Sequence, residues 1–227
     1  MFTNTIMDNN IMDFWRNEWI SVTDTSEVTG MGDMLQQTNR PKWKDVYAGY
    51  PKNVDGTDDR NNVQVFIEIF GDKYDSENYV LKETNTPLYN ACATRVSLGL
   101  LNGGFQIKNV GFKVQQGSFK GENVITSAKG LKNYLLKSSL FGNPDVLIKT
   151  SDSKDKYFGL KGKITLDDLQ SEIGYRNGIY IVVPYPECPG WSRISGHASL
   201  WVGQNGNVFG GHNYAHIIGE MYFWELL

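Results

Sequence analysis

Apolar residues recur at helical spacing in three segments of the chain. Residues 40–53 (RPKWKDVYAGYPKN) carry apolar side chains at intervals of three, one and three after an early proline, and residues 131–142 (LKNYLLKSSLFG) end in a glycine. Residues 92–101 repeat apolar positions in the same way and stop at a glycine pair. These patterns predict three helices. The run at 62–71 (NVQVFIEIFG) fits either a strand or a buried helix, because short apolar runs cannot be separated by period alone.

Strand patterns dominate the last third of the chain. The runs DVLIKT (145–150) and GIYIVVPY (178–185) predict strands, and residues 157–166 are predicted to be mostly loop. Residues 196–214 predict two strands around a turn at 204–206, since Asn-Gly between apolar runs favours a tight hairpin. Helices come first and strands last, so we predict an α+β fold with N-terminal helices packed on a C-terminal antiparallel β-sheet.

Composition limits the classes of partner. The chain has 227 residues, of which 40% are hydrophobic and 21% charged, and its net charge of −3 is too mild to indicate nucleic acid or an anionic membrane. No apolar segment approaches the roughly 20 residues that span a bilayer. The start of the chain lacks the basic and apolar regions of a secretory signal. We expect the polar residues 1–39 to form an N-terminal extension and residues 40–227 a single domain.

Two cysteines and three histidines are the residues with obvious chemistry. A disulfide between Cys92 and Cys188 is not expected, because the two are distant in sequence and disulfide scaffolds have more cysteines. Cys92 lies at a predicted helix start, where backbone N–H groups and the helix dipole favour the reactive thiolate. A thiol nucleophile needs a base, and His197, His212 and His216 all lie in the C-terminal strand region. These residues lack the paired spacing of a zinc site, so no metal is expected.

A cysteine on a helix and a histidine on a later strand are compatible with a papain-like thiol hydrolase. The plainer interpretation is the commoner one for such residues taken alone: Cys92 as a small core residue and His197 as a structural histidine. Arg95, one turn after Cys92, is most simply a surface or salt-bridged side chain. A structural protein of this kind predicts no cleft joining Cys92 to His197.

Two blocks of sequence distinguish these interpretations. NACATRVSLGL (90–100) and GWSRISGHASLWVG (190–203) resemble the signature blocks of the fourth family of type VI secretion amidase effectors. These effectors are bacterial toxins of the NlpC/P60-like cysteine peptidase superfamily. The similarity extends from about residue 40 to the C-terminus. It implies a papain-like NlpC/P60 fold, with Cys92 as nucleophile, His197 as base, and Trp191 and Ser192 in substrate binding.

The third catalytic residue departs from the family pattern. Members of the family usually carry an aspartate shortly after the second block, whereas the corresponding segment here (QNGNVFGGHNYAH) has no acid. Asn207, His212 and Asn213 remain the candidates, and we favour His212. The backbone N–H of Cys92 and a second donor are expected to hold the oxyanion; the sequence does not identify that donor, and a side chain in residues 53–62 is one candidate.

The resemblance implies a peptidoglycan amidase that cleaves the stem peptide between D-glutamate and meso-diaminopimelate, without a metal or organic cofactor. It also implies a cognate immunity protein as partner, synthesis in the bacterial cytoplasm without a signal peptide, and delivery to the periplasm of a target cell. Two alternatives share the site: a housekeeping or phage-type cell-wall peptidase, and a catalytically inactive peptide-binding module on the same fold.

Overall fold

A computed structural model describes residues 39–190 and 194–227. The predicted extension at residues 1–39 therefore falls almost wholly outside the described residues, as do Trp191 and Ser192. Among the described residues, no helix has the length and apolar character needed to cross a lipid bilayer.

Helices lie mainly in the first half of the described chain. They are α1 (Trp43–Gly49), α2 (Asn62–Phe70), α3 (Cys92–Asn102), α4 (Ala128–Lys137) and α5 (Leu166–Ile173). The ambiguous run at 62–71 is thus a helix, because the Asn61 side chain accepts hydrogen bonds from the amides of Val63 and Gln64 and caps it. Gly71, at a φ of +58°, ends it.

The strands form three antiparallel sheets. Short strands β1 (Tyr74–Asp75), β2 (Val80–Leu81) and β3 (Thr86–Pro87) make a small meander, and β4 (Phe112–Lys113) pairs with β5 (Asn123–Val124). The main sheet contains β6 (Val146–Lys149), β7 (Gly178–Pro184), β8 (His197–Val202), β9 (Asn207–Val208) and β10 (Ile218–Glu225). Its strand order is β6-β10-β7-β8-β9, and every pair is antiparallel. The predicted hairpin around residues 204–206 is confirmed as β8 and β9.

Helix α3 lies at the centre of the fold. Every residue from Cys92 to Leu101 is buried, and the helix packs between α1 and β8. Gly99 permits the close approach of α1, since a Cβ there would lie 2.8 Å from the carbonyl oxygen of Val46. Ala198 and Leu200 of β8 belong to the same apolar cluster as Cys92. The helix that carries the candidate nucleophile is therefore fixed by packing along its whole length.

The sequence analysis misplaced the ends of one helix and left several elements unassigned. The helix predicted at 131–142 begins earlier, after the capping side chain of Ser127, and ends at Lys137 rather than at the glycine. The sequence analysis assigned no helix at α5, which is stabilised by a capping box between Thr165 and Asp168. It also assigned no strand at β10, although β10 lies between β6 and β7 within the main sheet.

Candidate active site

Cys92 is the first residue of α3, as predicted. The residue before it, Ala91, donates its backbone N–H to Oδ1 of Asn62 at 3.1 Å, which fixes the turn that leads into the helix. The first N–H groups of a helix have no partner within the helix, so they point toward the space in front of Cys92. The side chain is nearly enclosed, since Cys92 is only 8% exposed.

Burial changes the expected ionisation of this cysteine. Desolvation raises the pKa of the Cys92 thiol, while the backbone N–H groups of Ala198 and Ala93 and the Arg95 guanidinium lower it by smaller amounts. The helix start therefore favours the thiolate as predicted, but desolvation outweighs it. The resting side chain is a neutral thiol rather than the preformed thiolate that the sequence indicated.

His197 begins β8, directly opposite Val182 of β7. The preceding Gly196 has a φ of +120° and lies against the carbonyl group of Val182, which sets the position where the strand starts. The imidazole is buried, and its centroid lies 4.7 Å from that of the Tyr214 ring. Burial, together with the positive charges of Arg95 and His212, lowers the pKa of His197 to about 3, so its resting form is neutral.

One cavity of about 400 Å³ joins these groups. Cys92, His197 and His212 all line it, whereas His216 and Cys188 do not. The interpretation of Cys92 as an inert core residue predicted no cleft between Cys92 and His197, and the cavity contradicts that prediction. Both cysteines have free thiols, so no disulfide links Cys92 to Cys188.

His212 differs from the other two candidates for the third residue. It follows the short 3₁₀ turn Phe209–Gly211 and lines the cavity. The side chains of Asn207 and Asn213 instead bond to each other at 3.3 Å, and Asn213 also accepts the amide of Ala215. Nε2 of His197 is buried and has no hydrogen-bond partner among residues 39–190 and 194–227.

Arg95 is salt-bridged, in agreement with one of the two simple interpretations, but it is not on the surface. It is only 5% exposed and extends from α3 to the loop that precedes α2. Its guanidinium donates to the carbonyl of Arg60 at 2.9 Å and to Oδ1 of Asn62 at 2.8 Å. A third nitrogen lies 3.3 Å from the carboxylate of Asp59. Arg95 therefore fastens this loop beside the start of the nucleophile helix.

Two carboxylates in the cavity were not identified as site residues from the sequence. Both Asp58 and Asp59 line the cavity and belong to residues 53–62, which the sequence analysis considered only as a source of an oxyanion donor. The Tyr50 hydroxyl donates to Oδ1 of Asp59 at 2.8 Å. Burial raises the pKa of Asp59, against the smaller lowering effects of Arg95 and Tyr50. The side chains of Asn62 and Tyr214 complete this part of the lining.

The described residues contain no group of three or more His, Cys, Asp or Glu side chains placed to hold a metal ion. The chemistry available in the cavity is that of a thiol, imidazoles, carboxylates, a guanidinium and amide donors. Such a set suits nucleophilic attack on a carbonyl carbon.

Residues 88–224 match the model of a protein family described as type VI secretion system amidase effector protein 4. The match spans more than half of the chain and includes both cysteines and every histidine. The chain belongs to this family. No curated protein matches it.

Solved structures of Tae4 effectors have folds similar to that of this chain. One similar structure is the complex of effector Tae4 with immunity protein Tai4 from Salmonella Typhimurium. The matched chain of that complex is 20% identical in sequence, with a TM-score of 0.55, and the alignment covers 83% of this chain and 99% of that one. The Tae4–Tai4 complex from Enterobacter cloacae is also 20% identical over 83% and 99% of the two chains, with a TM-score of 0.54. The predicted α+β, papain-like NlpC/P60 fold is confirmed.

Proposed function

We propose that this amidase effector is a peptidoglycan DL-endopeptidase toxin that cleaves the bond between D-glutamate and meso-diaminopimelate by a Cys–His thiol mechanism. The observation that carries the proposal is the single cavity lined by Cys92 and His197 in a member of an amidase effector family. Most of the side chains that line the cavity are polar and can form hydrogen bonds with a peptide substrate.

The reaction starts from a neutral pair. As the sulfur of Cys92 attacks the amide carbonyl carbon, the imidazole of His197 takes the thiol proton, so that charge separates only while the new C–S bond forms. The imidazolium then gives its proton to the amine nitrogen, the C–N bond breaks and a thioester remains. Water attacks the thioester with His197 as base, releasing the carboxylic acid and the free thiol.

The oxyanion of the tetrahedral intermediate is held by the backbone N–H of Cys92 and by the side-chain amide of Asn62. Asn62 lines the cavity and already uses its oxygen to accept from Ala91 and Arg95. Its NH₂ group is then the part of the amide left to donate to a substrate. Two such donors are worth several kcal/mol of barrier in related acyl transfers.

His212 is the third catalytic residue in this proposal. It lines the same cavity as His197. A neutral His212 that accepts a hydrogen bond from Nε2–H of His197 would keep the other nitrogen of His197 unprotonated and able to act as base. Trp191 and Ser192 precede the cavity residue Ile194 by three and two positions in the sequence and are retained as proposed substrate contacts.

The proposed partner is a cognate immunity protein that covers the cavity. Solved relatives from Salmonella Typhimurium and Enterobacter cloacae are effector–immunity complexes. An enzyme that hydrolyses peptidoglycan endangers the cell that produces it, so that cell needs a specific inhibitor. Synthesis in the cytoplasm and delivery to the periplasm of a target cell complete the proposal.

The test is incubation of the purified protein with tetrapeptide muropeptides, followed by mass spectrometry. We expect the wild type to split the stem between its second and third residues. Cys92→Ala and His197→Ala should reduce the rate by at least about a thousandfold, and His212→Ala by about a hundredfold. Cys188→Ala is the matched control, because Cys188 is buried outside the cavity and should leave the rate unchanged.

The outcomes separate the alternatives. Cleavage that survives Cys92→Ala would remove the thiol mechanism. Binding of muropeptides without cleavage by the wild type would indicate the inactive binding module. Directed to the periplasm of a sensitive bacterium, the wild type should cause lysis that Cys92→Ala does not. Cleavage in vitro without lysis would favour a housekeeping peptidase over a toxin.

A further inference from the structure

Asp59 is the carboxylate most closely tied to the cavity. It accepts a hydrogen bond from the Tyr50 hydroxyl at 2.8 Å and lies 3.3 Å from the guanidinium of Arg95. Its side chain is 15% exposed, while that of Arg95 is 6% exposed. A buried ion pair of this kind costs desolvation energy and is weak evidence for a purely stabilising role.

The surroundings of Asp59 are charged groups of the site itself. Arg95 reaches it from α3, Tyr50 from the end of α1, and His212 and Tyr214 from the loop after β9. Asp58 is its neighbour in the chain, and Cys92 lies within range of its charge. The backbone of Lys52 forms an isolated β-bridge with that of Asp59, while the Lys52 ammonium group lies over the ring of Tyr47.

We propose that Asp59 is a positioning residue for the amidase reaction: its carboxylate holds Arg95 and balances the positive charge of that guanidinium beside the Cys92–His197 pair. This inference rests on the proposed function for its kinetic consequence. The guanidinium of Arg95 disfavours a proton on His197. An imidazolium must nevertheless form there during the reaction, so an unbalanced cationic cavity would slow the step that protonates the leaving amine.

The same carboxylate has the opposite effect on the thiol. The negative charge of Asp59 raises the pKa of Cys92, whereas Arg95 lowers it. Removing the charge should thus make the thiolate easier to form while making the imidazolium harder to form. A residue that only supports the fold has no reason to produce this pair of opposite changes.

The test compares Asp59→Asn with Asp55→Asn, an exposed aspartate of the same loop. For Asp59→Asn we expect kcat on muropeptides to fall by about ten- to a hundredfold. The pH midpoint of Cys92 alkylation by iodoacetamide should move to lower pH, with the limiting rate at high pH unchanged. Asp55→Asn should match the wild type in both measurements, and Asp59→Glu should restore the alkylation midpoint.

Several results would overturn the proposal. One is a kcat within twofold of the wild type. Another is an unmoved alkylation midpoint, and a third is a midpoint shift that comes with a faster limiting rate, since that would show the cavity opening. Because alkylation needs no substrate, it tests Asp59 even if the wild type cleaves no muropeptide and the proposed function fails.

A gentler variant guards against misfolding of Asp59→Asn. Tyr50→Phe keeps the buried ring and removes only the hydroxyl that donates to Asp59. That hydrogen bond lowers the pKa of Asp59, so its loss should raise the pKa and move the acid limb of the kcat profile toward neutral pH. An acid limb that stays in place would count against a role for the Asp59 charge.

Discussion

Gly196→Ala tests how firmly the backbone before β8 positions His197. Gly196 has a φ of +120°, and an added Cβ would lie 3.1 Å from the carbonyl carbon of Val182, 3.3 Å from Cα of Val183 and closer still to the Val182 oxygen. Backbone strain of this kind costs about 1–3 kcal/mol and overpacking about 1–3 kcal/mol more. We therefore expect a loss of about 4 kcal/mol, or a fall in Tm of about 8–16 °C for a chain of this size.

The loss of activity should exceed the loss of stability. Relieving the clash must move the start of β8, and a displacement of about 1 Å in a catalytic group costs about a hundredfold in rate. The assays are thermal unfolding and muropeptide cleavage at a temperature where the variant remains folded.

Gly121→Ala is the control, because Gly121 has a φ of +92° but no atom within 4 Å of the added Cβ. It should lose only about 1–2 kcal/mol, with activity retained. If the two variants unfold at the same temperature, or if Gly196→Ala keeps full activity, the contact with Val182 does not position His197.

Three further predictions follow from the ionisation states and the helix caps. The pKa of His197 is about 3 in the folded protein and near 6.5 in the unfolded chain. The contribution of neutral His197 to the free energy of unfolding is therefore complete above about pH 6.5 and is lost as the pH falls toward 3. Over that range the free energy of unfolding of the wild type, measured with urea, should fall by up to about 1.4 kcal/mol per pH unit more than that of His197→Gln. Parallel plots of this free energy against pH for the two proteins would refute the prediction. Burial raises the pKa of the Cys92 thiol, so iodoacetamide should label Cys92 slowly at pH 7 and faster only above its ordinary titration range; rapid labelling at neutral pH would show a preformed thiolate. Thr165→Ala removes one half of the capping box with Asp168 and should cost about 1 kcal/mol of stability without changing cleavage, which unfolding and activity assays check together.

The helical segments that the sequence predicted well are those with a full apolar face and an end signal. Helix α3 has both: a buried stripe and the glycines after Asn102. The end of α4 was predicted wrongly because the apolar residues after Lys137 belong to a turn. That turn places Phe141 in the core against Phe105, with ring centroids 5.0 Å apart. Periodicity cannot separate such a turn from another helical turn.

The missed elements have different causes. Helix α5 has only eight residues, and its start is marked by the Thr165–Asp168 pair rather than by the commoner Glu or Gln. Strand β10 pairs on both of its edges, and its residues are buried on both faces, so it gives a nearly continuous apolar run without alternation. Its central place depends on pairing with two strands that come earlier in the chain, which no local pattern encodes.

The candidate site was predictable where residue type and local position carry the signal. Cys92 at a helix start and His197 at a strand start were both identified and line one cavity. The buried ion pair between Arg95 and Asp59 was not, because the contact joins residues 36 positions apart through a loop with no periodic pattern. The neutral state of Cys92 was also missed, since desolvation depends on packing that only the folded structure provides.

The enclosure of α3 also bears on how relatives of this protein can diverge. A segment whose residues are buried from Cys92 to Leu101 tolerates few substitutions, because nearly every change alters packing against α1 or β8. Evolutionary drift should therefore concentrate at exposed positions such as residues 54–57, in the loop that leads to the cavity. Natural variants would then differ around the cavity while keeping the packing that surrounds Cys92.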